Sequence, residues 1–304
     1  MSERSASRSW IPVPSPGGAN VQDLDLPAVA GIVERALAED LGPDRLDVTS
    51  VATIPADQRD VGDLVARADG VVAGLPVAAA VFDIASGGAV EFTAKVHDGD
   101  RVARGDVLAT VEGPTRALLT AERTALNLLC RMSGVATHTR AWADALAGTG
   151  ATVLDTRKTT PGLRVLEKYA VRAGGGTNKR MGLYDIAMIK DNHKLAAGSV
   201  SAAFARVRAA FPDIAVQVEV TSVAEAVEAV EAGATFLLCD NMPPSLLRAV
   251  VEAVGDRAEL EATGGLTLDM AREYAATGVN YLSVGALTHS PPILDVALDL
   301  RPRR

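Results

Sequence analysis

Between Leu26 and Leu41 the apolar residues Val29, Ile32, Val33, Ala36, Leu37 and Leu41 recur at helical spacing. Pro27 suits a first turn and Gly42 a stop, so the spacing predicts a helix over 26–41. The texture then changes. Residues 61–113 (VGDLVARADGVVAG, AVEFTAKVHDGDRV and DVLATVEG) alternate or run apolar between Gly and Asp turns, which predicts short strands and a small β-rich unit. Residues 116–132 return to helical spacing through Leu118, Leu119, Ala125, Leu126, Leu129 and Met132.

Beyond that helix, apolar runs end in polar or glycine-bearing tips: TVLDTRK (152–158), IAMIKDNH (186–193), VQVEVTS (216–222), FLLCDN (236–241), LEATGG (260–265) and YLSVGA (281–286). Helical stretches such as VAEAVEAVEAG and PSLLRAVVEAVG lie between them. This β-α rhythm predicts an α/β fold with parallel strands. A closed barrel is favoured over a doubly wound sheet, because no Gly-rich dinucleotide fingerprint follows an early strand. In a barrel every strand C-terminus opens on one face, so the polar tips should converge there.

Composition narrows the function classes. The chain has 304 residues, 48% hydrophobic and 22% charged, as expected of a globular protein with a substantial core. Lys+Arg 30 against Asp+Glu 38 gives a net charge of −8, which disfavours nucleic acid or an anionic membrane as partner. The longest apolar stretch, Val71 to Phe82, contains Gly74 and Pro76 and is too short to span a bilayer. Residues 1–24 are polar and Pro/Gly-bearing, lack the apolar core of a signal peptide, and read as a disordered tail. Cys130 and Cys239 make no disulfide framework, so a cytoplasmic setting is expected.

Charge is unevenly placed. From Asp155 to Lys194 nine cations (Arg157, Lys158, Arg164, Lys168, Arg172, Lys179, Arg180, Lys190 and Lys194) face four anions (Asp155, Glu167, Asp185 and Asp191). That is +5 in 40 residues, against −13 over the other 264. A solvated surface is one reading of such an island; an anion site is the other. Arg157 and Lys158 follow a strand end directly, and Lys190 ends an apolar run, where a lysine is costly without an anionic partner. AGGGTNKRMGL (173–183) reads as a mobile loop able to close over a ligand. Several cations at one mouth suit a ligand with more than one carboxylate or phosphate.

The later tips carry other chemistry. Glu219 and Asp240, at adjacent predicted strand ends, could hold Mg²⁺ or accept from ribose hydroxyls, with capping or solvent-facing carboxylates as the alternative. Thr263-Gly264-Gly265 and Gly285-Ala286 follow the last two strands, where barrels commonly bind phosphate. His97, His138, His193 and His289 share no metal-type spacing, and neither a Gly-x-Ser-x-Gly elbow nor an activated cysteine is present.

Taken together, TAERTALNLLCRMSGVAT (120–137), DTRKTTPGLRVLEKYAVRAGGGTNKRMGLYDIAMIKDNH (155–193), VEVTS (218–222), CDNM (239–242), ATGGL (262–266) and SVGALTHS (283–290) resemble the quinolinate phosphoribosyltransferase family. The likeness runs from about Leu26 to Leu300, and AEDLGPDRLDVTS (38–50) supports it. The resemblance implies an N-terminal α/β sandwich domain (25–130) joined to an incomplete parallel α/β barrel (131–304) whose C-terminal segment packs back. It implies a homodimer in which one subunit's N-terminal domain covers the other's barrel. The implied reaction is quinolinate plus phosphoribosyl pyrophosphate, with Mg²⁺, giving nicotinate mononucleotide, pyrophosphate and CO₂ in de novo NAD synthesis.

By motif position, the resemblance assigns Arg123 to quinolinate across the dimer interface. It assigns Thr156, Arg157, Lys158, Arg180 and Lys190 to the dicarboxylate and diphosphate pocket, and Glu219 and Asp240 to ribose and metal. Thr263, Gly264 and Gly265, with Val284, Gly285 and Ala286, would hold the 5′-phosphate. Lys158, Lys190, Glu219 and Asp240 are the implied catalytic set. Family members commonly carry histidine where this chain has Lys179, which keeps a cation but not a neutral titratable ring; serine is frequent at Thr263. Two rivals belong beside this reading. VHDGDRVARGDVLATVEG (96–113) has the strand rhythm of a biotinyl carrier, but its nearby lysine, Lys95, lies outside the expected turn. Nicotinate phosphoribosyltransferases and homologues tied to molybdenum transport share the barrel, yet a monocarboxylate needs fewer cations than Arg123, Arg157, Lys158, Arg180 and Lys190 supply.

Overall fold

The computed structural model describes residues 24–302. They form two units: an amino-terminal unit of 24–140, Thr159–Gly175 and 286–302, and a parallel-sheet unit of Ala141–Lys158 and Gly176–Gly285. The expected disordered tail lies outside the described residues, apart from its last residue, Leu24, which is buried.

In the amino-terminal unit, α1 (Leu26–Leu41) begins on Asp25, whose carboxylate accepts the Ala28 N–H, and ends at Gly42. This is the predicted helix. α2 (Val48–Thr53) is capped likewise by Asp47. Strands β1 (Arg59–Ala66) and β2 (Gly70–Val71) come next. The structure then departs from the all-strand reading of 61–113, since α3 (Leu75–Ser86) stands among the strands. Its signals were local: Pro76 in the first turn and Gly87 in the left-handed conformation at the end. The side chain of Asp98 accepts the Gly74 and Leu75 N–H groups at its start. Its sequence is apolar nearly all round, with only Asp83 and Ser86 polar, so no amphipathic period shows although one face alone, Leu75, Val77, Ala78, Val81 and Phe82, is buried.

β3 (Glu91–Ala94), β4 (Arg101–Val102) and β5 (Val107–Pro114) follow. The chain's last strand, β12 (Val296–Leu300), returns to complete an antiparallel sheet in the order β12-β1-β5-β3, while β2 and β4 pair separately. Leu64, Leu108, Val111 and Phe82 are fully buried in this unit; each contributes about 1.5–3 kcal/mol relative to exposure.

Helix α4 (Thr115–Leu146) runs well beyond the predicted 116–132. The polar run from Ser133 masks its continuation, yet Thr137 and Thr139 hydroxyls donate to the Ser133 and Val135 carbonyls one turn back. Gly134 lets the helix meet another segment of the same unit; a Cβ there would lie 2.2 Å from the Pro292 carbonyl oxygen.

The parallel-sheet unit opens with β6 (Thr152–Leu154). α5 (Arg164–Ala173) belongs to the amino-terminal unit. The sheet unit then resumes with β7 (Ile186–Ile189), α6 (Asp191–Ala197), α7 (Val200–Ala210), β8 (Ala215–Val220), α8 (Val223–Glu231), β9 (Phe236–Asp240), α9 (Pro244–Val254), β10 (Glu259–Thr263), α10 (Ala271–Ala275) and β11 (Tyr281–Ser283). α11 (Ala286–His289) leads back toward β12. All six strands fall where the sequence places them.

Their order is β6-β11-β10-β9-β8-β7, every pair parallel. The first strand lies beside the last, and otherwise sequence neighbours pair. That is barrel order with one seam, between β6 and β7, left open among the described residues. The fold is therefore α/β, with an incomplete parallel barrel and a separate small sheet domain. Six C-terminal strand ends consequently emerge at one end of the sheet.

Candidate active site

Alternation within the strands chooses the side chains at that end. Residues i and i+2 share a face, which groups Met188 with Lys190, Gln217 with Glu219, Leu238 with Asp240, and Glu261 with Thr263. A cavity of about 340 Å³ is lined by seven of these eight, by Ser283 of β11, and by Thr156, Arg157, Lys158, Lys179 and Arg180. Thus nine of the residues singled out by sequence (Thr156, Arg157, Lys158, Lys179, Arg180, Lys190, Glu219, Asp240 and Thr263) come together in one place.

The cationic wall is built at the open seam. Thr177 bridges to Leu154 beside β6, with its N–H on the Val153 carbonyl at 3.0 Å. The buried Asp155 carboxylate accepts the Lys179 N–H at 2.8 Å and the Asn178 amide at 2.6 Å. Asp185 accepts the N–H groups of Met181 and Gly182. The glycine-rich stretch expected to be a mobile loop is thus held by backbone and carboxylate hydrogen bonds through 177–182. These ties bring Lys179 and Arg180 to the wall that carries Arg157 and Lys158.

Crowding the cations has a price in solvation. Burial, then the neighbouring Arg157, lowers the Arg180 pKa. Arg180 donates to the Ile186 carbonyl at 3.1 Å. Burial likewise pulls Lys179 below the ordinary lysine value, with Arg180 and Lys190 adding to the effect and Glu261 opposing it. Such a wall is electrostatically suited to an anion.

The opposite wall is acidic. Lys190 Nζ donates to Glu219 Oε2 at 3.0 Å, joining the two walls. The Lys190 N–H donates to His193 Nδ1 at 3.0 Å, so this histidine caps α6. Lys194, one cation of the basic island, is buried and donates to the Glu219 carbonyl at 3.1 Å and to Glu225 at 3.0 Å. It fixes the end of β8.

Asp240 accepts from the Asn241 amide at 2.9 Å. Gly264 has φ +100°, and a Cβ there would lie 2.2 Å from Asn241 Oδ1, so glycine is demanded by Asn241 as well as by the turn. Glu219 and Asp240 are two carboxylates at the ends of adjacent strands; among the described residues no group of three or more His, Cys, Asp and Glu is placed to hold a metal ion.

Five sequence candidates follow the lining residues without lining the cavity themselves: Gly264 and Gly265 after β10, and Val284, Gly285 and Ala286 after β11. Arg123 is exposed on α4 in the amino-terminal unit and is also absent from the lining. Three polar residues were missed by sequence reasoning: Gln217, Glu261 and Ser283. Glu261 is completely buried and accepts from Lys179, Gln217 and Ser283. Its signal was present as a carboxylate two positions before Thr263 in an otherwise apolar strand. The thiol of Cys239, the next strand's neighbour, is pushed up to about 12 by burial and then by Glu261, so it is an inert thiol.

A second cavity, of about 520 Å³, shares Arg157, Arg180, Met188 and Lys190 with the first and is otherwise lined largely by small apolar residues of α6 and α7, with Arg206 and His193. No helix among the described residues is long and apolar enough to cross a membrane.

Known proteins resemble the chain over nearly all of its length. The family profile described as quinolinate phosphoribosyl transferase, N-terminal domain, matches residues 47–133, and that of the C-terminal domain matches 135–299. The nicotinate-nucleotide pyrophosphorylase [carboxylating] of Mycobacterium leprae (strain TN) is 48% identical over 284 residues, covering 92% of this chain and 100% of that protein. The crystal structure of NadC from Streptococcus pyogenes superposes with a TM-score of 0.86 at 38% identity, over 90% of this chain and 96% of that one. The nicotinate-nucleotide pyrophosphorylase of Francisella tularensis gives 0.87 at 30% identity, over 95% and 100%.

Proposed function

The chain belongs to the quinolinate phosphoribosyltransferase family, and from that premise we propose how its cavity transfers phosphoribosyl from phosphoribosyl pyrophosphate to quinolinate. The products are nicotinate mononucleotide, pyrophosphate and CO₂, in NAD biosynthesis. The observation that carries the reading is the meeting of Arg157, Lys158, Lys179, Arg180 and Lys190 on one cavity with Glu219 and Asp240.

Both substrates are polyanions, so the work is charge neutralisation and alignment. Arg157, Arg180 and Lys179 receive the two carboxylates and aim the ring nitrogen at the anomeric carbon. The nitrogen lone pair forms the new C–N bond as the C–O bond to pyrophosphate breaks and its electron pair leaves with the oxygen. Developing positive charge on the sugar faces the carboxylates of Glu219 and Asp240. Thr263 and the glycine turns after β10 and β11 hold the 5′-phosphate through backbone N–H groups.

The ring nitrogen is now cationic and draws electrons. The bond to the adjacent carboxylate breaks, CO₂ departs, and the electron pair left at C2 takes up a proton. Lys158 and Lys190 are the ammonium groups assigned to supply protons and to stabilise the leaving group. Glu219 and Asp240 would be the residues to hold Mg²⁺, which commonly takes only one or two protein carboxylates. When bound, it would neutralise charge on the departing pyrophosphate.

Arg123 is assigned to the cavity of a second copy in a homodimer. Exposed Leu183, Tyr184 and Leu195 of the sheet unit support an interface there. Two free, buried cysteines support a cytoplasmic setting. The test is incubation with phosphoribosyl pyrophosphate, Mg²⁺ and either quinolinate or nicotinate. Release of CO₂ with quinolinate alone is expected; conversion of nicotinate without turnover of quinolinate would refute the reading.

A further inference from the structure

The reaction above has no task for Glu261, yet this carboxylate stands at the floor of the cavity. Its side chain is wholly buried in mid-strand of β10. Oε1 accepts from Lys179 Nζ at 2.6 Å and from the Ser283 hydroxyl, and Oε2 accepts from the Gln217 amide at 2.7 Å. Donors from β8, from β11 and from the segment beside β6 therefore converge on one anion. A carboxylate beneath a site for polyanions is adverse unless it serves a cation. Stability alone does not explain the arrangement, because a buried ion pair is commonly no better than apolar side chains of similar volume. What the pair supplies is location. A lysine head group on four rotatable bonds is otherwise free to swing between neighbouring anions. Here it is fixed on a side chain that is itself fixed twice over, among the other charges facing it: Arg180, Lys190 and, through its backbone N–H, Asp155.

We propose that Glu261 is a positioning residue, holding the Lys179 ammonium stationary at the cavity floor to receive one quinolinate carboxylate and so favouring a dianionic over a monoanionic pyridine. This rests on the functional reading above. Glu261 acts through Lys179 and touches no substrate.

The test is a double-mutant cycle on the full-length enzyme, with kcat and KM measured for each substrate. Glu261→Gln keeps the shape and removes the charge. It should raise KM for quinolinate about tenfold while KM for phosphoribosyl pyrophosphate stays within about twofold. In a Lys179→Met background the same substitution should change KM for quinolinate by less than about twofold, because its effect passes through the missing ammonium. An unchanged KM in the single variant, an equal rise in both KM values, or a further large rise in the Lys179→Met background would overturn the proposal. If Glu261→Gln leaves Lys179 buried without its counter-charge and the protein does not fold, the pair Lys179→Met and Lys179→Met/Glu261→Gln decides alone. Wild-type enzyme is assayed alongside. Its failure to turn over quinolinate would defeat the functional reading, whereas normal wild-type turnover with additive variants would defeat only the role of Glu261.

Discussion

Two ion pairs with buried carboxylates look alike in this molecule and differ in use. Arg131 meets Glu167 at 2.8 Å in the amino-terminal unit, and Lys179 meets Glu261 at 2.6 Å in the parallel-sheet unit. Each carboxylate is almost fully buried and takes at least three hydrogen bonds. The difference lies in the donors. Glu167 accepts the Thr160 backbone N–H at 3.0 Å, and Arg131 donates to the Thr288 carbonyl, so that pair ties chain segments together. Glu261 is held by side chains alone, and its cation lines a cavity beside Arg180 and Lys190. The kind of partner, more than burial, separates a structural pair from one that serves a site.

The comparison is sharpest when Glu167 is removed. Glu167→Ala takes the counter-charge from Arg131 and the acceptor from the Thr160 N–H, and should cost about 3–5 kcal/mol of stability. The folded fraction should keep its KM for quinolinate; denaturant unfolding with steady-state kinetics checks both. A kinetic defect at unchanged stability would erase the distinction drawn here.

Arg123 tests whether the amino-terminal unit is only structural. Arg123→Ala removes an exposed side chain, so its melting temperature should hold. If a second copy's Arg123 grips a desolvated carboxylate, kcat/KM should fall by an amount corresponding to about 2–5 kcal/mol. Near-normal rates would confine the chemistry to the sheet unit.

A glycine of the sheet unit gives a smaller effect. Gly264→Ala places a Cβ against Asn241 at positive φ and should destabilise by about 1–3 kcal/mol. The displaced Asn241 bonds Asp240, so KM for phosphoribosyl pyrophosphate should rise with it. An unchanged melting curve would contradict the close approach.

The smallest effect belongs to the rim of the amino-terminal sheet. Hydrogen bonds from Arg301, opposed in part by burial and aided by Thr110, hold the Asp63 carboxyl below its usual 3.8. A depressed carboxyl pKa adds stability that is present above 3.8 and is lost as pH falls through the folded value. Asp63→Asn should therefore shallow the acid limb of the melting-temperature profile; an unaltered limb would show that the pair contributes nothing.

Much of the sheet unit was legible because its strands are buried runs with abrupt polar ends, as in FLLCDN and LEATGG. The tips are where the chain leaves the core, so position and chemistry coincide at Lys190, Glu219, Asp240 and Thr263. The residues missed were those whose polarity lies within a strand. Gln217 and Glu219 alternate with Val216, Val218 and Val220, a period of two that places both on one face. The same step from Thr263 reaches Glu261. Lys179 could be named from sequence but not its partner, because the ion pair spans 82 positions. Helix α3 was hidden for another reason: alanines and other apolar residues fill its exposed side too, so LPVAAAVFDIAS carries no amphipathic stripe, and only Pro76 and Gly87 mark its ends.

The central claim is that cations beside the barrel seam grip a doubly acidic pyridine. Isothermal titration of quinolinate into wild-type protein and Arg157→Ala measures it most directly. The account predicts that the variant binds more weakly by about 2–5 kcal/mol; equal affinity for both proteins would contradict it.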